Sequence, residues 1–535
     1  MKLRSLTAIT VVGLATQAHA GGLFLPGSGA VSTSRAGAAV TSVDDGEALS
    51  INPAGFAKTK GTTITLSLAI ISYAMEFTRR GTYDAIDSEA LPYEGEAYPT
   101  SRNDPDLALG VGSFQPIPVF AVSTDFGGKV PNLRAAVGLF APNAYPFRDM
   151  CTVGAGGCKK YAFNGDFNVA PSPTRYDIVK QEAAVIMPSI AVSYRILPEL
   201  DVGARFSAGH ANLKSTIAIW GNPANTVEYV KEDALFSVDA TDSFVPAFGF
   251  GVNYRPTPNI EIGAAYNSEA TIHAKGDATS ETGPAVGLNG QPVTIGPSEE
   301  VRCAAGGTIE KQKVCVDLAL PMNATLGGRY KFLAADGRQK GDVELNVGWE
   351  NWSAERASNY RVVTDAQIYL NGMPNLAIKD NAVPHGFKDT FSARLGGSYD
   401  IPVSDAAVTL RGGVGYDTQA AKTGWLRADI DGAARTTVTV GAGYKAKRFK
   451  VDIGGGVILE GSNTNAGECN PTAKTAANLG CNGDGVEHPV GSDGRQGPDP
   501  INPILNPNVQ IEAPVNKGTY SSHYVMFMLG FSTWF

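Results

Sequence analysis

The sequence predicts an all-β fold, a fourteen-stranded antiparallel transmembrane β-barrel, on three observations. Fourteen segments from Thr62 onward read as strands, their connections alternate between long and short, and the last of them closes the chain on an amphipathic alternation ending at Phe535. An even strand number and short turns set against long loops are the marks of a closed bacterial barrel.

The N terminus supplies the address. Lys2 and Arg4 precede an apolar run from Leu6 to Ala15 and the small-residue site Ala18-His19-Ala20, which reads as a secretory signal peptide over 1–20 with the mature chain starting at Gly21. Its apolar run is about ten residues, short of the roughly 20 that a spanning helix needs. No later stretch is long and apolar enough either, so a helical membrane protein is excluded. An exported soluble protein and a barrel remain, because alternating strands hide from hydropathy averages.

Composition adds constraints. The 62 glycines, 22 phenylalanines, 19 tyrosines and 5 tryptophans fit a β-rich chain with many turns and aromatic girdles, a profile that a large secreted sandwich would share. Removing Lys2 and Arg4 takes the formal charge from -8 to -10, with 42 basic against 52 acidic residues, and no Lys/Arg-rich run appears. Nucleic acid is therefore not an expected partner. The six cysteines fall in close pairs, Cys151 with Cys158, Cys303 with Cys315 and Cys469 with Cys481. Export favours local disulfides, whereas metal ligation would want Cys-x-x-Cys spacing or nearby histidines, so neither metal nor cofactor is expected.

The strands are predicted over 62–77, 116–125, 132–141, 182–196, 200–219, 243–255, 259–275, 316–333, 341–353, 387–401, 406–418, 433–444, 449–460 and 519–535, each by period-two alternation or by enrichment in apolar, β-branched and aromatic residues. Leu197-Pro198-Glu199, Pro256-Thr257-Pro258, Pro402-Val403-Ser404-Asp405 and Lys445-Ala446-Lys447-Arg448 make short turns. Long connections cover about 78–115, 142–181, 220–242, 276–315, 354–386, 419–432 and 461–518, and they hold the cysteine pairs, Cys315 at an edge.

Counting back in twos from Phe535 puts Thr533, Phe531, Leu529, Phe527 and Val525 on one face, suited to lipid, and Trp534, Ser532, Gly530 and Met528 on the other. The same sorting places Val408, Leu410, Val414 and Tyr416 outside. Arg134, Arg205, Glu261, Arg329, Glu344, Glu350, Lys388, Arg394 and Arg411 fall inside, where a charge escapes the roughly 2 to 4 kcal/mol cost of facing mid-bilayer lipid.

Residues 21–61 do not read as strands. Gly21-Gly22-Leu23-Phe24-Leu25-Pro26-Gly27, Ser34-Arg35-Ala36-Gly37-Ala38-Ala39-Val40, Asp44-Asp45 and Asn52-Pro53-Ala54-Gly55 together resemble the N-terminal hatch of the FadL-type long-chain fatty-acid transporters. Phe248-Gly249-Phe250-Gly251-Val252-Asn253-Tyr254, Ile262-Gly263-Ala264-Ala265-Tyr266-Asn267-Ser268, Leu410-Arg411-Gly412-Gly413-Val414-Gly415-Tyr416-Asp417 and Val440-Gly441-Ala442-Gly443-Tyr444 continue the likeness over nearly the whole mature chain. The segment 461–518 and the cysteine pairs depart from it. The resemblance implies a hatch over 21–61 plugging a barrel over 62–535, apolar ligand captured among the outer loops, and release through the wall near a strand kink as the hatch moves. The hatch motif maps onto Asn52, Pro53 and Ala54, for which a plain turn is the bland alternative. Ala141-Pro142-Asn143 is the candidate kink, because proline deletes a ladder donor.

The expected function is uptake of hydrophobic molecules, long-chain fatty acids first. Ile70, Ile71, Tyr73 and Phe77 and then Ala141, Tyr145, Pro146 and Phe147 are candidate linings, or else girdle and loop packing. A fatty-acid carboxylate calls for a cation in an apolar cavity, and Arg205, Arg394 and Arg411 are the candidates, against the alternative that they only brace the lumen with Glu261, Glu344 and Glu350. A neutral, aromatic hydrocarbon would need no cation. An enzyme is not expected, since the chain has neither His-Glu-x-x-His nor Gly-x-Ser-x-Gly. A general porin and a surface adhesin are the other rivals. The expected partners are the hydrophobic ligand and outer-membrane lipid, with the protein a monomer in a Gram-negative outer membrane.

Overall fold

A lone strand cannot hide its peptide groups from lipid, so the strands of this chain pair until the last meets the first. The computed structural model describes residues 22–465, 479–481, 487–489 and 518–535, apart from 84–89, 108–111, 155, 162–166, 221–229, 285–286, 289–290, 293, 370–373, 379–380 and 422–425. The expected signal peptide, Cys469 and most of the last long connection lie outside the described residues.

Fourteen antiparallel strands close the wall. They are β1 (Thr62–Arg79), β2 (Gln115–Thr124), β3 (Leu133–Phe140), β4 (Lys180–Leu197), β5 (Leu200–Trp220), β6 (Asp233–Tyr254) and β7 (Ile260–Asn267, continuing as Ala270–Thr282). After these come β8 (Gln312–Leu320, continuing as Asn323–Leu333), β9 (Gln339–Glu350), β10 (Thr390–Val403), β11 (Ala406–Asp417), β12 (Arg435–Lys445), β13 (Phe449–Asn465) and β14 (Gly518–Trp534). β14 pairs β1 from Thr63 opposite Trp534 to Arg79 opposite Gly518, which removes the free edges. All fourteen expected segments are strands; β7 and β8 each break once, at 268–269 and at 321–322, where Pro321 brings no N–H.

Alternation decides which face meets lipid. Val525, Phe527, Leu529, Phe531 and Thr533 point outward on β14, while Met526, Met528, Gly530 and Ser532 are buried. The outward rows of the other strands carry the exposed large apolar residues, among them Ile190, Phe248, Phe250, Leu326, Leu345, Leu410 and Val440. Two expectations are corrected by the same alternation. Ile71, Tyr73 and Phe77 are fully buried, but Ile70 has the opposite parity and belongs to the outer face. Lys388 precedes β10 and is exposed, so it does not enter the lumen.

Strands β4, β5 and β6 run 18 to 22 residues, about twice what a bilayer crossing takes, and their upper halves stand clear of the membrane. Loop strands Thr100–Asn103, Arg148–Gly154 and Asn359–Tyr369 extend this sheet above the barrel. Cys151 is bonded to Cys158, and Cys303 to Cys315, within that layer. Below the mouth, residues 22–60 turn through short helical segments and are almost entirely buried inside the wall.

Placing a charge on the outer row tests this orientation. Leu529→Arg, beside Leu68 and Ile453 on the lipid face, is expected to lower the stability of the barrel refolded into liposomes by about 2 to 4 kcal/mol in a urea titration. An unchanged midpoint would mean that Leu529 does not face lipid.

Candidate functional site

The hatch is held by polar side chains that the wall sends inward. It lacks long regular structure, so its own N–H groups need acceptors from elsewhere. Ala30 N donates to Ser67 Oγ at 2.7 Å, Gly46 N to Thr65 Oγ1 at 3.0 Å and Ala36 N to Thr439 Oγ1 at 2.9 Å. Ala39 N and Val40 N share Asn346 Oδ1 at 2.9 and 3.1 Å, and Thr41 N and Ser42 N donate to the two oxygens of Glu344 at 2.8 and 3.1 Å. Arg35 grips Asp342 with both terminal nitrogens, at 3.1 and 2.9 Å, and lies 3.4 Å from Glu344. Lys450 of β13 meets Asp45 at 2.8 Å.

Inside the hatch, Glu47 accepts from Val31 N, Ser32 N and Ser67 Oγ at 2.9, 2.8 and 3.0 Å. Burial, with Asp45 beside it, pushes this carboxyl up to about 7. The expected hatch motif closes the segment. Asn52 is fully buried; its Oδ1 caps Ala54 N at 3.1 Å, and its Nδ2 donates to Val40 O at 2.7 Å and to Val252 O and Asn253 Oδ1 of the wall, each at 3.4 Å. Pro53 starts the short helical turn Pro53–Lys58, and Ser193 Oγ of β4 donates to Ala54 O at 3.3 Å. The approach is so close that a Cβ on Gly251 would overlap Asn52 Oδ1, and one on Gly203 would overlap Ala54 N.

The wall parts at the expected kink. β3 pairs β4 as far as Phe140 opposite Met187. Ala141 N still donates to Pro118 O at 3.1 Å, and then the chain turns inward. Asn143 Nδ2 donates to three hatch carbonyls, those of Leu25, Pro26 and Gly27, at 3.3, 2.9 and 2.9 Å, and Leu25 N donates back to Asn143 O at 2.6 Å. Pairing with β4 resumes only at Arg148 opposite Gln181, so residues 182–186 of β4 have no ladder partner on that side. At Asn143 the backbone of the hatch start thus takes the place that a strand partner would hold.

Two apolar regions flank this break. One, beside the lower hatch, brings Phe140, Met187, Ala211, Val245 and Ala247 of the wall against Leu49 and Phe56. The other lies under the loops and joins Ile71, Tyr73, Phe77, Tyr145 and Tyr524 to Leu25 and Phe387. Residues 426–434 of the sixth long connection are all buried over it. Asp431 there accepts Tyr73 Oη at 2.7 Å, and Arg148 Nε donates to Ala428 O at 3.0 Å. Arg427 bridges Asp177 and Asp429, and His385 Nε2 lies 2.7 Å from Asp429. Burial works against ionisation of Asp429, yet His385 and Arg427 overcome it and hold its carboxyl below the usual range. That connection was read only as a loop, because nothing in its composition distinguishes a descending loop from a standing one.

The three candidate arginines separate. Arg394 pairs with Asp417 at 2.5 Å and Arg411 with Asp452 at 2.8 Å, so both brace the wall. Their partners are aspartates one strand away for Arg394 and two strands away for Arg411, and not the expected Glu261, Glu344 or Glu350. Glu261 instead meets Arg329, at 2.8 Å, and Lys331. Arg205, 5% exposed, has no carboxylate partner among the described residues. It donates to Leu49 O at 2.7 Å and to Asn267 Oδ1 at 3.0 Å, its Nε has no partner, and its guanidinium stacks 4.9 Å over the Phe140 ring.

A closed barrel filled by its own N-terminal segment, with apolar chambers against a parted wall, has the architecture of an outer-membrane channel. The chain matches the family model for outer membrane protein transport protein (OMPP1/FadL/TodX) over residues 11–483. Among solved structures it is similar to a Pseudomonas aeruginosa FadL homologue (13% identity, TM-score 0.63, covering 96% of this chain and 99% of that one). It is also similar to the toluene transporter TbuX of Ralstonia pickettii (15%, TM-score 0.57, 96% and 99%) and to the toluene transporter TodX of P. putida (15%, TM-score 0.58, 96% and 99%). No curated protein sequence matches it. The chain therefore belongs to the OMPP1/FadL/TodX family, and it is an outer-membrane channel for hydrophobic compounds.

Gly251→Ala is expected to displace Asn52 and loosen the hatch, raising ion conductance in planar bilayers above that of the unmodified protein. Arg35→Leu, which leaves Glu344 without an ion-pair partner among the described residues and Asp342 with Arg329 alone, should do the same, at a cost of about 3 to 5 kcal/mol to the closed state. Conductance unchanged in both would mean that this segment does not plug the lumen.

Proposed function

We propose that this channel imports long-chain fatty acids, the carboxylate being received by Arg205 and the chain leaving through the parting between β3 and β4. The observation that carries the reading is Arg205 itself, a buried guanidinium beside an apolar cluster at the wall break, with no acid to neutralise it among the described residues. Burying a charge unpaired is costly, and a ligand carboxylate would offset that cost with bidentate geometry.

The contact with Leu49 O suggests how binding moves the hatch. That carbonyl occupies Nη1 in the closed state and lies three residues before Asn52. A carboxylate that takes its place detaches Leu49, and the strain passes to the Asn52-Pro53-Ala54 turn, which rests on β4, β5 and β6. Residues near the end of an element are suited to absorb such a change. Loss of the hatch carbonyls from Asn143 would then clear the opening. Capture belongs to the aromatic chamber below the mouth, with residues 426–434 as its cover. The rival cargo is a neutral aromatic hydrocarbon, as carried by the toluene transporters this chain resembles in fold.

The test is native mass spectrometry of purified, detergent-exchanged protein, followed by competition with labelled oleate. Retained fatty acid displaced by oleate is expected, and Arg205→Leu should weaken oleate about 10- to 100-fold, the worth of a hydrogen bond to a charged group, while toluene is unaffected. Equal oleate affinity in the variant, or toluene binding without oleate binding, would assign the channel to neutral hydrocarbons.

A further inference from the structure

The wall parts at a second place, between β6 and β7. These strands pair from Gly249 opposite Asn267 to Tyr254 opposite Ile262, and again from Thr241 opposite Lys275 to Ala234 opposite Thr282. Between the two stretches, residues 242–248 face 268–274 without a ladder pair. The register is the same on both sides of the gap, because each strand contributes seven residues between Gly249–Asn267 and Thr241–Lys275. This is a local separation and not a slip of one strand against the other.

The edges of the gap are finished with side chains. Asp242 accepts Phe244 N at 2.9 Å and His273 N at 2.7 Å across the gap's upper edge. Ser268 Oγ accepts Phe248 N at 2.8 Å at its lower edge, where Ser268 N donates to Phe248 O. Pro246 sits in the middle and brings no N–H to satisfy. In a membrane, exposed peptide groups are tolerated only where something replaces their ladder partners, and here Asp242 and Ser268 supply replacements at the two edges.

The gap lies level with the first parting. The ladders lead from Phe140 to Met187, past Ala208 and Gly209 of β5, to Pro246 and Val245. Both therefore open on one apolar cluster, to which Val245, Ala247, Ala270 and Ile272 contribute from this side. Arg205 spans the distance between them, stacked on Phe140 at one end and bonded to Asn267 at the other. Outside, Phe244 and Phe248 stand exposed, and immediately below runs an apolar cleft of about 560 Å³. Ala264 and Ala324 leave room in it between Tyr266, Leu326 and Trp349.

We propose that the β6–β7 parting is a second lateral port, through which the hydrocarbon chain of a cargo molecule passes between the inner cluster and the lipid-facing cleft while its head stays near Arg205. The proposal rests on the reading of the protein as a carrier of such molecules. It gives the channel two side openings on one chamber, three strands apart.

Two measurements test it. First, oleate bearing a diazirine near its tail is photolysed on the purified protein in detergent. Label at Val245, Ala247, Phe244 or Phe248 is expected, and label confined to residues 140–147 and 182–187 would overturn the port. Second, Ala247→Cys/Ala270→Cys is bridged by a short bis-methanethiosulfonate in cells taking up labelled oleate, with Ala141→Cys/Ile186→Cys as the counterpart across the first parting and wild type treated alike. Each bridge alone should lower uptake by about half, as for parallel paths, and the two together should abolish it. A β6–β7 bridge without effect on a transporting protein overturns the port. Wild type that takes up no oleate overturns the fatty-acid reading instead and leaves the photolabel to decide the port.

Discussion

Within lipid no water is available to an unpaired peptide group, and the whole structure follows from where that rule is met by the backbone and where by side chains. The closed ladder from β1 to β14 meets it by the backbone. The hatch cannot, and Glu344, Asn346, Thr439 and Ser67 serve as its partners. At the parting beside β3 Asn143 donates to carbonyls of the hatch, and at the one beside β6 Asp242 and Ser268 accept N–H groups of the edges. A ladder is indifferent to ligand, but a side-chain acceptor can exchange one donor for another. The parts that the proposed transport would move are thus the parts whose hydrogen bonds come from side chains.

The lumen follows an electrostatic version of this logic. Arg35, Arg329, Asp342, Glu344 and Glu261 form a linked set in which every charge but Glu344 touches more than one opposite. Replacing such a set with apolar residues can be neutral, whereas removing one member is strongly destabilising. Its arrangement therefore fixes the orientation of the hatch more than it adds to overall stability. Arg205 stands apart from the set, and the proposed reception of a ligand carboxylate rests on that.

The barrel was legible in the sequence because its rule is local: a period of two, repeated fourteen times and punctuated by turns, survives without knowledge of the neighbours. The inward faces of β11 and β14 and the place where β3 ends at Ala141-Pro142-Asn143 followed from it. The partners of Arg394 and Arg411 did not, since Asp417 and Asp452 are matched to them by register between strands and not by spacing along one. Ile70 was assigned to the lining beside Ile71 although one alternation cannot place both inside. The descent of residues 426–434 into the mouth had no local signature. The second parting was hidden as well, because the polar run Asn267-Ser268-Glu269 is short and apolar and β-branched residues resume at Ala270-Thr271-Ile272, so that 259–275 reads as one strand.

The disulfides have a bearing on how such a molecule is built. Cys151–Cys158 and Cys303–Cys315 span 7 and 12 residues. Bonds of that reach can form on an unfolded chain in the oxidising periplasm, before any strand has met its partner. A bond between distant loops would tie together segments that must still cross the membrane separately. Short staples let each loop travel to the cell surface as a finished knot, so the oxidation of the chain and the closure of its wall become independent events.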